Sequence, residues 1–96
     1  MTEPAYRVSL ITPTYNEREN LPLLAEEIFH ILDPYPEIDL ELVVVDDASP
    51  DGTGAVAEEL GGTYPVRVLH RAGKLGLGSA VMQGFGMSER PYLGVI

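Results

Sequence analysis

The stretch that most constrains the fold is Leu42-Val43-Val44-Val45-Asp46-Asp47-Ala48-Ser49-Pro50-Asp51-Gly52-Thr53. Four apolar residues in a row, three of them β-branched, read as a strand buried on both faces of a parallel sheet. The run stops at two carboxylates, a Ser-Pro-Asp-Gly turn follows, and Thr53 opens a helical stretch. In an open parallel sheet, ligands bind in the crevice outside the carboxyl ends of the strands. One residue earlier, the same charges would be buried at heavy cost. Two readings of Asp46-Asp47 stand side by side. One Asp caps the turn while the other is a solvated loop charge, or the pair meets a ligand donor or metal that offsets its mutual repulsion. A carboxylate so placed is suited to accept from a base N–H or a sugar hydroxyl.

The chain around this strand repeats the same alternation. Tyr6–Thr12 reads as a first strand stopped by Pro13, which cannot donate to a ladder. From Asn20, a plausible N-cap, Leu21, Leu24, Ala25, Ile28, Ile31 and Leu32 recur at helical spacing until Asp33-Pro34. Strand two covers Leu40–Val45, and a short helix over Thr53–Leu60 ends at Gly61-Gly62. Asp51 or Thr53 serves as its N-cap, with Gly52 in the turn. Strand three is Val66–His70, a Gly-rich helix covers about Ser79–Ser88 and Tyr92–Ile96 is a fourth strand. The βαβαβαβ order predicts a layered α/β fold with right-handed crossovers. A chain of 96 residues holds at most one small domain of this kind. Every polar motif follows a strand, so all of them gather along one edge of the sheet.

Charge and composition narrow the ligand classes. The net charge of −9 argues against a nucleic-acid surface, which needs clustered Lys and Arg. Without cysteine there is no disulfide framework, thiolate metal site or Cys nucleophile. No apolar run approaches membrane-spanning length, and Met1–Arg7 lacks a signal-peptide pattern; the expectation is a cytoplasmic chain, or one peripheral to a membrane. Pro13-Thr14-Tyr15-Asn16-Glu17 puts a ring, an amide and a carboxylate after strand one: a capped helix entry, or a surface where Tyr15 packs on a base or ribose and Glu17 accepts from ribose hydroxyls. Gly76-Leu77-Gly78 before a helix suggests an anion-binding loop, strengthened by Arg71 and Lys74, but lacks the spacing of both dinucleotide and Walker motifs. His30 and His70 have no partners at metal-ligand spacing.

Taken together, Pro13-Thr14-Tyr15-Asn16-Glu17, Val43 to Thr53, and Arg71-x-x-Lys74-Leu75-Gly76-Leu77-Gly78-x-Ala80 resemble the N-terminal half of a GT-A, family 2 glycosyltransferase. The dolichol- or polyprenol-phosphate mannosyltransferases are the nearest branch, and the resemblance spans roughly Val8 to Ile96. It implies a Rossmann-like parallel sheet truncated after the fourth strand, with residues 1–96 forming an incomplete nucleotide-sugar-binding part. It further implies GDP-mannose as donor and a lipid-linked phosphate at the cytoplasmic face of a membrane as acceptor. By position, Pro13, Tyr15 and Glu17 would line the nucleoside pocket; Val45 and Asp47 would bound the base, with Asp47 accepting from its N–H. Asp46 would order the loop, and Arg71 and Lys74 are possible phosphate contacts. The family's Asp-x-Asp motif, which holds Mg²⁺ or Mn²⁺ on the donor diphosphate, is expected beyond Ile96. No catalytic residue or metal ligand is then expected within these residues.

Two other readings compete: a family 2 transferase using a UDP-sugar, and a non-catalytic nucleotide-binding module complete at 96 residues. For the isolated chain, one short Gly-rich helix on one face predicts Val43, Val45 or their neighbours facing water, a raw fourth-strand edge, and self-association.

Overall fold

The computed structural model describes residues 4–73 and 76–96. Its elements alternate without exception: β1 (Tyr6–Thr14), α1 (Asn20–Leu32), β2 (Ile38–Asp46), α2 (Thr53–Leu60), β3 (Val66–His70), α3 (Leu77–Gly86) and β4 (Tyr92–Val95). The four strands form one parallel sheet in the order β3-β2-β1-β4. The first two crossovers step one way along the sheet and the third steps the other way. Equal handedness therefore puts α1 and α2 on one face and α3 on the opposite face.

The pleat of β2 divides its apolar run between two cores. Leu42 and Val44 pack with Leu21 and Ala25 of α1, Ala57 of α2 and Val66 of β3. Val43 and Val45 pack with Ile11 of β1 and Ala80 of α3. All four β2 residues are fully buried, each contributing about 1.5–3 kcal/mol relative to exposure.

The expected exposure of Val43 and Val45 is therefore wrong. α3 covers them by close approach: a Cβ added at Gly84 would overlap the Ile11 side chain and lie 3.2 Å from Val45 Cγ2. The lower half of that face needs no apolar cover because it is polar. Glu41, 5% exposed, accepts from Ser9 Oγ at 2.6 Å and pairs with Arg67 at 3.3 Å and Arg90 at 3.4 Å.

Three local expectations also change. β1 runs through Pro13 to Thr14, because β4 pairs with β1 only from Val8 to Ile11. Thr14 carbonyl accepts from Asp47 N–H on the β2 side, so the donor that Pro13 lacks falls on the side β4 does not reach. In α1, Ile31 is 58% exposed, and Phe29 takes the inner position by stacking on Tyr64 at 5.2 Å. Asn20 is the first helical residue and not a cap; its amide donates to Glu17 Oε2 at 3.0 Å.

Candidate functional site

The carboxyl ends of β1, β2 and β3 meet the start of α3 in one place, and the two aspartates there have different surroundings. Asp46 continues the β2 face that packs on α1 and α2. Its Oδ1 accepts from Thr14 Oγ1 at 2.7 Å and Ser49 Oγ at 2.6 Å, and its Oδ2 from Ser49 N–H at 3.0 Å. Asp47, the next residue along the alternation, meets the α3 side and the guanidinium of Arg71. Separate partners on opposite faces thus resolve the repulsion that two adjacent carboxylates suggest. Ala48 follows in the left-handed region at φ 53°, a conformation costing a non-glycine residue on the order of 1–2 kcal/mol.

A second layer holds the β1 loop. Three successive backbone N–H groups donate to side chains of the β2–α2 loop: Asn16 to Ser49 Oγ at 3.0 Å, Glu17 to Thr53 Oγ1 at 2.9 Å, and Arg18 to Asp51 Oδ2 at 3.2 Å. Asp51 also accepts from Thr53 N–H at 2.9 Å and from its hydroxyl, which fixes the turn into α2; the N-cap position itself falls on Gly52, not on Asp51 or Thr53 as expected. The Thr53 hydroxyl bond, followed by those from the Arg18 and Thr53 N–H groups, outweighs the desolvation of Asp51 and holds its carboxyl below the usual aspartate range. These bonds fix where Tyr15 leaves β1.

Arg71 closes the site from below. Its N–H donates to Asp46 carbonyl at 2.8 Å, continuing the ladder past β3. Its side chain, 3% exposed, uses all five guanidinium N–H donors. Nε and Nη2 donate to the two Asp47 oxygens at 2.6 and 2.9 Å, and Nη2 also donates to Gly76 carbonyl at 3.2 Å. Nη1 donates to Ser79 Oγ at 2.9 Å and Gln83 Oε1 at 3.2 Å. The Asp47 bonds raise the guanidinium above its ordinary pKa, against the opposing effect of burial.

Above this pair lies a cleft of about 150 Å³ lined by Pro13, Thr14, Tyr15, Asp47, Gly76, Leu77 and Ala80. Of the expected pocket residues, Pro13, Tyr15 and Asp47 come together there. Glu17 lines an adjoining cleft of about 250 Å³ with Thr12, Pro13, Thr14, Asn20, Leu21 and Leu24. Val45 lies beneath the site, fully buried against α3. Lys74 lies outside the described residues. Sequence reasoning missed Leu77, 72% exposed on the cleft that Tyr15 also lines, because α3 begins two residues earlier than its small-residue pattern indicates. It also missed Ser79 and Gln83, whose role depends on a guanidinium arriving from β3.

The residues present do not fit a divalent metal. Asp46 and Asp47 are turned to different partners, and among the described residues no group of three or more His, Cys, Asp or Glu side chains could hold an ion. Nor, among those residues, is any helix long and apolar enough to cross a membrane.

A family model described as Glycosyl transferase family 2 matches residues 9–96. The chain belongs to glycosyl transferase family 2. Within that family, it is 50% identical over 84 residues to a polyprenol monophosphomannose synthase of Mycolicibacterium smegmatis, covering 85% of this chain and 30% of that protein. It is 51% identical over 80 residues to a dolichol-phosphate mannosyltransferase of Pyrococcus furiosus, covering 82% of this chain and 22% of that protein. The fold is similar to that of a mannosyltransferase from Pyrobaculum calidifontis solved with GDP-Man and Mn²⁺, with TM-score 0.65 and 33% identity over 90% of this chain and 26% of the other. This glycosyl transferase family 2 chain thus spans about a third or less of the length of the relatives it matches. Its four-stranded parallel sheet is the Rossmann-like arrangement of the GT-A fold.

Proposed function

We propose that residues 1–96 are the nucleoside-binding part of a transferase whose whole protein moves mannose from GDP-mannose to a polyprenol or dolichol phosphate. The observation that carries this reading is Asp47: a carboxylate at the end of β2, held by Arg71, on a cleft that Tyr15 and Leu77 also line. That arrangement offers an acceptor to the N–H edge of a guanine stacked between an aromatic and an aliphatic wall. Pro13 bounds the same cleft, and Glu17, one cleft away, is placed for the ribose hydroxyls. The activities for which the two relatives are named and the GDP-Man bound by the structural neighbour support the donor and acceptor classes.

In the whole protein, an acceptor phosphate oxygen forms the new bond to the sugar carbon while the bond from that carbon to the GDP oxygen breaks. The diphosphate leaves with the electron pair, and no protein nucleophile is needed. A divalent ion on the diphosphate would be held by an Asp-x-Asp motif following β4, since the described residues do not fit one. In this reading the lipid-linked acceptor is met at a membrane surface, on its cytoplasmic side. By itself the chain self-associates through β4, an edge strand on which Leu93, Val95 and neighbouring Ile96 are about half exposed.

The test is transfer by the full-length protein to a polyprenyl phosphate, with GDP-mannose and UDP-glucose offered separately. Mannosyl transfer from GDP-mannose alone is expected. Turnover of UDP-glucose without GDP-mannose would replace this donor assignment with a UDP-sugar, and turnover of neither would favour a nucleotide-binding module.

A further inference from the structure

We propose that Arg71 is a positioning residue of the nucleoside pocket, fixing the Asp47 carboxylate and the first turns of α3 as one unit and making no contact with donor phosphate. The proposal rests on the reading of Asp47 as the acceptor for the base.

The geometry assigns every donor. One edge of the guanidinium meets both oxygens of Asp47, and such a fork fixes the plane of a carboxylate as well as its position. The other edge meets Ser79 and Gln83, four residues apart and hence on one side of α3. The remaining donor meets Gly76 carbonyl, which also accepts from Ala80 N–H at 3.1 Å as the first bond of α3. Leu77 leaves the chain between these anchors, so the bonds that orient Asp47 also set the part of the cleft that Leu77 lines. Reaching a phosphate would require the side chain to give up acceptors inside the protein, breaking its two-pronged pair with the 10%-exposed Asp47 carboxylate. Charge alone does not reproduce this arrangement, because a lysine ammonium has three donors on a flexible stem and cannot serve Asp47 and α3 together.

A ligand series separates positioning from phosphate contact. The 96-residue chain and its Arg71→Lys variant are titrated calorimetrically with guanosine, GMP, GDP and ADP. A phosphate ligand replaced by lysine would lose least on guanosine and most on GDP. A positioning residue loses the same factor, about tenfold or more, on all three guanine ligands. It also narrows the preference for GDP over ADP, which general loosening of the fold would leave unchanged. A loss that grows with the number of phosphates, or undiminished affinity throughout, overturns the proposal. Should Arg71→Lys fail to fold, Ser79→Ala with Gln83→Ala keeps the Asp47 pair and is read by the same series: a uniform but smaller loss supports the proposal, and no loss or a phosphate-dependent one overturns it. Absence of wild-type binding to all three guanine ligands would instead overturn the reading of the pocket, and this proposal with it.

Discussion

At the scale of single residues, the adjacent aspartates are expected to divide stability from recognition. Asp46→Ala leaves the Thr14 and Ser49 groups without their shared acceptor and is expected to cost about 1–3 kcal/mol in chemical denaturation, with a smaller change in nucleotide affinity. Asp47→Asn, close in shape, is expected to lower GDP affinity about ten- to a hundredfold. Equal affinities for the two variants would remove the assignment of the base to Asp47. Asp51 sets a pH dependence of opposite origin to ligand binding. Its folded pKa is depressed, so the unfolded chain takes up a proton at higher pH than the folded one. The stabilisation is then complete above the unfolded carboxyl value of about 4 and is lost as pH falls through the lower folded value. Asp51→Asn should flatten that part of the acid stability profile, and an unchanged profile would contradict the role of these Asp51 bonds. The sequence made Asp46 and Asp47 legible as a pair because their position after a β-branched run is a local signal. It could not say which partner each would find, since Arg71 lies 24 residues away and arrives only when β3 joins the sheet.

At the scale of elements, alternation and periodicity were enough for the strand and helix order, while the placement of α3 on its own face followed from the sheet order that the family resemblance implies. The failures lie where a neighbour decides. Pro13 reads as a strand terminator, yet β1 passes through it because β4 does not pair there. Ile31 fits the apolar stripe of α1, but Phe29 finds Tyr64, a partner from the approach to β3, and displaces it. The coverage of Val43 and Val45 by α3 depends on Gly84, whose value is the absence of a side chain against Ile11. Gly84→Ala is expected to push α3 outward and cost about 1–3 kcal/mol by overpacking, measured as a lower denaturation midpoint. An unchanged midpoint would mean that α3 does not sit against the sheet. Gly76 acts differently: at φ 99° and ψ 148° it occupies a region open to glycine, so Gly76→Ala should strain the entry to α3 without any steric clash.

At the scale of the molecule, opposite faces of one small sheet are closed by different means: apolar packing under α1 and α2, and α3 plus an ionic layer on the other side. Tyr92, Leu93, Val95 and Ile96 are about half exposed along the β4 edge, which is where self-association is expected. Sedimentation should show the wild-type chain associating at micromolar concentration and Val95→Lys shifting it towards monomer, as a charge on an edge strand opposes pairing. A wild-type monomer at those concentrations would remove β4 as an interface. The central claim is that the cleft beside Asp47 reads guanine and not uracil. Calorimetric titration of the wild-type chain with GDP and with UDP tests it most directly, each with and without Mn²⁺. GDP is expected to bind at least about tenfold more tightly than UDP, with little change on adding the ion. UDP binding as tightly as GDP, or a GDP affinity that rises steeply with Mn²⁺, would contradict it.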